Sequence, residues 1–178
     1  TNYLNIGKGT IYRYFNDKKS LFLAVFERGM NQLSDRVKAT VEPITDPQCK
    51  IAAAVKTYFE FFENDRELIE IMMQVRSEFK DEYMRISLAM YQNYIVKIQE
   101  NLLNGMKMGV FRDLDIEKTA EIISATLQGL LQSFYIREAG VGMAATSNIA
   151  KQRKESLTDS IEAVTTLLLE GILKRKNP

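Results

Sequence analysis

Apolar residues recur every three or four positions along almost the whole chain, and no stretch alternates with period two, so the pattern predicts an all-α protein. Leu21/Phe22, Val25/Phe26, Met30, Leu33 and Val37 mark a helix over Asn16–Thr40, capped by Asn16 or Asp17. Two of the three prolines fall in Val41–Gln48, the one convincing linker, and the helix must end at or before Glu42. Ile51, Val55, Phe59 and Phe62 place the next helix over Cys49–Glu63. Asn64-Asp65-Arg66-Glu67 reads as a capping box with Asn64 in the cap position, opening a helix over Leu68–Arg76. Polar Ser77–Asp81 interrupts the pattern. Tyr83, Ile86, Met90, Tyr94, Ile98 and Leu102 then stripe a long helix, Glu82–Leu103, closed by Gly105 and Gly109.

Asp115 suits the N-cap of a helix over Ile116–Glu138, striped by Ile116, Ala120, Ile123, Leu127, Leu130/Leu131 and Phe134. Ala125 and Gly129 sit four apart near its middle. A mid-helix glycine costs up to about 1 kcal/mol against alanine, which close approach of a second helix would offset. Gly140–Ala150 is small and flexible in composition and reads as a loop. Leu157, Ile161, Val164, Leu168 and Ile172 stripe the last helix, Lys154–Lys174, whose basic end, Lys174-Arg175-Lys176, suits a helix C-terminus. No strand and no internal repeat emerge.

The stretch Asn5–Leu21, NIGKGTIYRYFNDKKSL, departs from this amphipathic pattern. A turn at Asn5-Ile6-Gly7 leads into a short helix carrying Lys8, Thr10, Tyr12, Arg13 and Tyr14. Its few apolar anchors, Ile6, Ile11 and Phe15, can hold one side to a body. The polar side is left for something outside, and its side chains are of the kind that bond phosphate oxygens and base edges.

The string KGTIYRYFNDKKSLF resembles the end of the helix-turn-helix of the TetR (tetracycline-repressor) family. Lys8-Gly9-Thr10-Ile11-Tyr12-Arg13-Tyr14-Phe15 is similar to the recognition helix, and Lys18 with Leu21 to the start of the next helix. Asn5 stands where the family usually has Gly, and Gly7 where it usually has Ser or Thr; Asn tolerates a left-handed turn and Gly a cap position. The resemblance implies that Lys8, Thr10, Tyr12, Arg13, Tyr14 and Lys18 contact double-stranded DNA. It implies a remainder of the DNA-binding domain with its connecting helix over residues 1–40, and an effector-binding and dimerisation domain over 41–178. Thr1–Leu4 reads as the tail of a helix already under way, and the resemblance implies a segment before it. Met108–Ala120 also looks like the family's approach to its penultimate helix. The last two helices would then form a homodimer interface, with Ile123, Leu127, Gly129, Leu130, Phe134, Ile161, Val164 and Leu168 as the expected contacts.

Charge fits this division. The whole chain carries a net +1, but residues 1–38 hold seven cations against three acids, a net of +4 that leaves −3 for the rest. The body is rich in methionine and aromatic side chains. Tyr58, Phe59, Phe62, Met72, Met73, Met90, Tyr91 and Tyr94 are expected around a small-molecule effector, with plain core packing as the competing reading of each. Glu78, Asp81 and Glu82 read as solvated surface without metal-ligand spacing.

Other chemistries find little support. With no histidine anywhere, His-based triads and His metal sites are excluded. Gly7-Lys8-Gly9 lacks the spacing of a phosphate loop. The single cysteine, Cys49, rules out an internal disulfide. No apolar run approaches the roughly 18 residues of a membrane span, so a cytoplasmic location is expected. The sequence therefore reads as a ligand-responsive DNA-binding regulator, in the repressor sense, with no enzyme activity, metal or cofactor. The alternative is a helical ligand-binding or protein-interaction module without specific DNA binding.

Overall fold

The computed structural model describes residues 13–144 and 156–173, including side chains except those of 138–144. Among the described residues, after the helical Arg13-Tyr14, six α-helices follow in order: α1 (Lys18–Val41), α2 (Pro47–Asn64), α3 (Arg66–Glu78), α4 (Lys80–Lys107), α5 (Ile116–Ala144) and α6 (Ile161–Ile172), the last preceded by a 3-10 turn, Leu157–Ser160. The all-α expectation holds. One isolated antiparallel bridge, Phe111 to Leu173, is the extent of β pairing among the described residues.

Caps set most boundaries. Asp17 starts α1: its carboxylate accepts from Ser20 N at 2.7 Å, and Ser20 Oγ accepts from Asp17 N at 3.3 Å. Asp46 accepts from Cys49 N at 2.9 Å, and Pro47 fills the first turn, so α2 starts two residues before the expected Cys49. The cap of α3 is Asp65 rather than Asn64, accepting from Leu68 N at 3.2 Å. Asn64 is still helical, and its Nδ2 donates to Glu60 O at 2.7 Å, closing α2. Phe79 leaves helical geometry (φ −131°, ψ 56°) and divides α3 from α4 within the expected break.

Helix α4 runs to Lys107 and takes Gly105 inside it. A Cβ at Gly105 would lie 2.1 Å from Phe111 Cδ2, so glycine is required for that ring to close over the helix end. The chain then reverses at Gly109, φ +71°, a conformation that favours glycine. Arg112 N donates to Ile172 O at 3.0 Å, tying this turn to the end of α6. Asp115 caps α5 as expected, accepting from Lys118 N at 3.1 Å. The loop expected at Gly140–Ala150 is corrected in its first part, because α5 continues through Gly140 and Gly142 to Ala144. Glycine lowers helix propensity without forbidding a helix that is already propagating. Residues 145–150 and the basic end Lys174-Arg175-Lys176 lie outside the described residues.

Helix α2 is central, packing against α1, α3, α4, α6 and the 3-10 turn. The main core surrounds Phe59, Phe62, Leu102, Leu131 and Phe134. A smaller core of Phe26, Val75 and Ile86 fills the junction of α1, α3 and α4, with Phe22, Phe79 and Tyr83 around it. Gly29 brings α1 onto α3: a Cβ there would lie 2.6 Å from Leu68 Cδ1. The connecting helix is thus packed into the body along Phe26, Gly29 and Leu33.

Candidate functional site

Three regions hold the residues expected to act. The first is the head. Lys8, Thr10 and Tyr12 lie outside the described residues. Arg13 and Tyr14 are helical and exposed, Tyr14 to 78%. Lys18 opens α1, where its ammonium sits 3.6 Å from Glu78 Oε2 and 4.9 Å from the Phe22 ring centroid. Its neighbour Lys19, not singled out by the sequence, pairs with Glu82 and lies 5.7 Å from the Phe79 ring centroid. Glu78 and Glu82 are therefore partners of the head-side lysines rather than solvated surface alone. The Lys19 bond also holds the Glu82 carboxyl below its ordinary range.

The second region is the body. Phe59 and Phe62 are fully buried, and Tyr58 meets both rings edge-on, with centroids 5.4 and 5.1 Å away. Met73 and Tyr91 pack against the main core, Met90 against the smaller one, and Met72 against both. Tyr91 stands edge-on to Tyr94 at 5.4 Å. The eight expected effector contacts thus span both cores instead of forming one wall. Burial, then the neighbouring Tyr94 and Tyr83, push the Tyr58 phenol far above its ordinary range, so it stays protonated. Burial likewise raises Tyr94, against the opposing bond with Ser124.

Tyr94 belongs to a polar group that sequence reasoning missed. Its hydroxyl lies 2.7 Å from Ser124 Oγ, and Gln128 Nε2 donates to Tyr94 Oη at 2.7 Å and to Ser124 Oγ at 3.1 Å. Ser124 is only 4% exposed. The available signal was a serine on the inward stripe of α5, beside Ile123 and one turn from Leu127. These groups offer neutral donors and acceptors, suited to a carbonyl, ester or hydroxyl among apolar walls.

The third region is the outer face of α5 and α6. Of the expected dimer contacts, Ile123, Phe134, Val164 and Leu168 are buried in the protomer's own core, at 3–8% exposure. Leu127, Leu130 and Ile161 pack partly buried against that core. The strongest apolar stripe of each helix thus faces inward, because intrachain burial takes the widest face. Gly129 is different: nothing in the protomer approaches the place of its missing Cβ within 4 Å. The outward apolar residues on these helices are Ile122, Ile136 and Leu167, at 62%, 58% and 68% exposure. Ile122, Gly129 and Ile136 are spaced at seven residues, the repeat of a helix-pairing seam. On α6 an open groove is lined by Asp159, Glu162, Ala163, Thr166, Leu167 and Glu170.

The outer face is held in place by Glu63. Its carboxylate pairs with Arg66 and accepts from Leu157 N at 2.7 Å, at the start of the turn leading into α6. Arg66 also lies over the Phe134 ring, 5.1 Å from its centroid. Burial alone would raise the Glu63 carboxyl, but the Arg66 and Leu157 bonds hold it below its ordinary value. Among the described residues no group of acidic or cysteine side chains could hold a metal ion, and no helix is long and apolar enough to cross a membrane.

Comparison with known proteins gives this geometry a context. The TetR-type family described as YsiA-like protein, C-terminal region, matches residues 26–170. The fatty acid metabolism regulator protein of Bacillus subtilis is 21% identical over 145 residues, covering 80% of this chain and 74% of its own length. Solved structures that share the fold include the following three. The fatty acid degradation regulator FadR from Bacillus halodurans has a TM-score of 0.74 at 24% identity, over 96% of this chain and 81% of that one. FadR from Bacillus subtilis in complex with stearoyl-CoA has a TM-score of 0.72 at 20% identity, over 94% and 83%. A transcriptional regulator from Saccharomonospora viridis in complex with choline has a TM-score of 0.76 at 21% identity, over 98% and 84%.

Proposed function

Because the chain belongs to the TetR family of transcriptional regulators, we propose that it is a homodimeric repressor released from a palindromic DNA operator by a small apolar effector. The family match over residues 26–170 carries this reading, together with the recognition-helix string that precedes it. Residues 1–40 supply the remainder of the DNA-binding domain and the connecting helix; residues 41–178 bind the effector and dimerise. Lys8, Thr10, Tyr12, Arg13, Tyr14 and Lys18 face the duplex. Two such heads, related by a two-fold axis, enter successive major grooves about 34 Å apart. The protein works in the cytoplasm, where operator and effector meet.

The dimer forms through the outward faces of α5 and α6, with Ile122, Gly129, Ile136 and Leu167 at its centre. Gly129 is shared with the contacts that the resemblance implies, whereas Ile123, Leu127, Leu130, Phe134, Ile161, Val164 and Leu168 pack against the protomer's own core. Open space over Gly129 supports it, since a mid-helix glycine with no intrachain contact is accounted for by close approach of a second copy.

The effector lies among Tyr58, Phe59, Phe62, Met72, Met73, Met90, Tyr91 and Tyr94. Phe59 and Phe62 are closed off in this conformation, so entry requires repacking, for which the flexible methionines are suited. A long acyl chain with a neutral carbonyl fits these apolar walls and the Tyr94–Ser124–Gln128 group. The acyl reading is supported by the fatty-acid regulators among the relatives and by the stearoyl-CoA complex. Effector binding favours a body conformation in which α1 holds the heads at the wrong spacing, with a coupling typically about 1–3 kcal/mol.

The test is a selection from fragmented genomic DNA at near-physiological salt, with the bound fragments sequenced. A pseudo-palindrome enriched in the bound pool, and released by long-chain acyl-CoA but not by choline, is the expected result. Retention without an enriched site, or an enriched site that no acyl-CoA releases, overturns the operator or the effector assignment respectively.

A further inference from the structure

Glu78 is the last residue of α3, where the negative end of the helix dipole disfavours a carboxylate. Helix stability does not account for its position, but its neighbours do. Lys18 Nζ lies 3.6 Å from one of its oxygens, and Gln74 Nε2 donates to the other at 2.7 Å. Across the Phe79 break, Glu82 in the first turn of α4 takes Lys19. The Phe22 and Phe79 rings lie beneath the two ammonium groups. Two consecutive lysines at the start of α1 are therefore held by two carboxylates on either side of one helix break. The small core of Phe26, Val75 and Ile86 fixes the spacing underneath.

We propose that this junction is a brake on DNA binding: in the conformation described, which effector binding would favour, Glu78 and Glu82 hold Lys18 and Lys19 away from the phosphate backbone, and the movement of α3 against α1 that accompanies operator binding frees them. The inference rests on the assignment of Lys18 as a phosphate contact and extends it to Lys19. An ammonium turned to a carboxylate is less available to phosphate. Helix α3 carries Met72 and Met73 in the proposed effector region, and Glu78 follows Met72 by six residues, roughly 9 Å along the helix. One rigid element thus links the effector region to the lysines.

The experiment measures the affinity of the full chain for a short generic duplex over a range of salt. The double variant Glu78→Gln/Glu82→Gln should bind more tightly, by about two- to fivefold for each pair released. Its logarithmic salt dependence should steepen by up to about one ion per freed lysine. The gain should vanish when Lys18 and Lys19 are also alanine. Glu60→Gln/Glu100→Gln, which removes the same charge elsewhere, should bind like wild type. Unchanged affinity in the Glu78/Glu82 variant overturns the brake, as does a gain that survives loss of both lysines. A matching gain in the Glu60/Glu100 variant overturns it as well, since net charge would then suffice. Wild type that binds no duplex at any salt refutes the DNA-binding assignment itself, a distinct result that removes the brake with it.

Discussion

Replacing Glu63 by glutamine tests how the proposed dimer face is held. The carboxylate accepts a charge-assisted bond from Leu157 N at 2.7 Å and pairs with Arg66, both side chains being 24% exposed. A hydrogen bond to a charged group contributes about 1.5–3 kcal/mol, against about 0.5–1.5 for a neutral one. Glutamine keeps a neutral acceptor for Leu157 but gives up the charge facing Arg66. The expected loss is therefore about 2 kcal/mol, combining the weaker Leu157 bond with the lost ion pair. For a chain of this length that is roughly 4–8 °C in melting temperature. Melting must be compared at one protein concentration, because dimerisation is linked to stability.

The same reasoning fixes a pH dependence. Glu63 has its carboxyl held below the ordinary value of 4.5 in the folded protein. Its charge-dependent stabilisation is thus fully present above that ordinary value and is lost as pH falls through the lower folded value. The gap in melting temperature between wild type and Glu63→Gln should be constant from neutral pH down to about 5, then narrow as the wild-type carboxyl takes up its proton. A shift below about 1 °C at neutral pH would refute the argument. A gap that widens in acid would refute the sign of the pKa shift.

Three further predictions follow from the packing. Gly105→Ala should destabilise by about 1–3 kcal/mol in chemical denaturation, because the new methyl group overlaps Phe111 and disturbs its bridge to Leu173. Ile122→Glu/Leu167→Glu should sediment as a folded monomer with much weaker operator binding, since both side chains are exposed in the protomer; Ile123→Glu should instead unfold it, Ile123 being 5% exposed. Tyr94→Phe removes two hydrogen bonds of the Tyr94–Ser124–Gln128 group, so it should lower stability by about 1–2 kcal/mol and weaken the response to acyl-CoA in an operator-release titration.

The helices and most of their ends were legible because local chemistry sets them. Asp115 caps where its position predicts, Asp17 is one of the two caps expected for α1, and the break at Phe79 falls inside a polar interruption. The expected cap at Asn64 was wrong by one residue, because α2 continues its hydrogen bonding through Asn64 and leaves Asp65 to cap α3. It misled at Gly140, where composition argues for a loop but the backbone remains helical. The candidate site was less legible, since it depends on which elements meet. Periodicity finds the widest apolar face, which on α5 and α6 is the inward one, and the narrower row of Ile122, Gly129 and Ile136 appears only once Ile123 and Phe134 are seen to be buried. Ser124 showed only as a serine on the inward stripe of α5, and Gln128 gained meaning once Tyr94 was brought across from α4.

Helix α3 is where these observations converge. It is only 13 residues long, yet it meets α1 near both ends by different means, with Val75 sharing a small core with Phe26 between them. Near its start Leu68 fills the space left by Gly29, a contact that admits no extra carbon without a shift. At its end Glu78 holds Lys18 through an exposed ion pair, which yields easily. Between them Met72 packs against both cores. With Leu68 against Gly29 and Val75 in one core with Phe26, the exposed Glu78 pair is the contact between α3 and α1 that yields most readily. An effector seated beside Met72 would thus set the position of the end of α3 that holds the head-side lysines, keeping the Glu78–Lys18 pair closed, while the Gly29–Leu68 contact keeps α1 seated on the body.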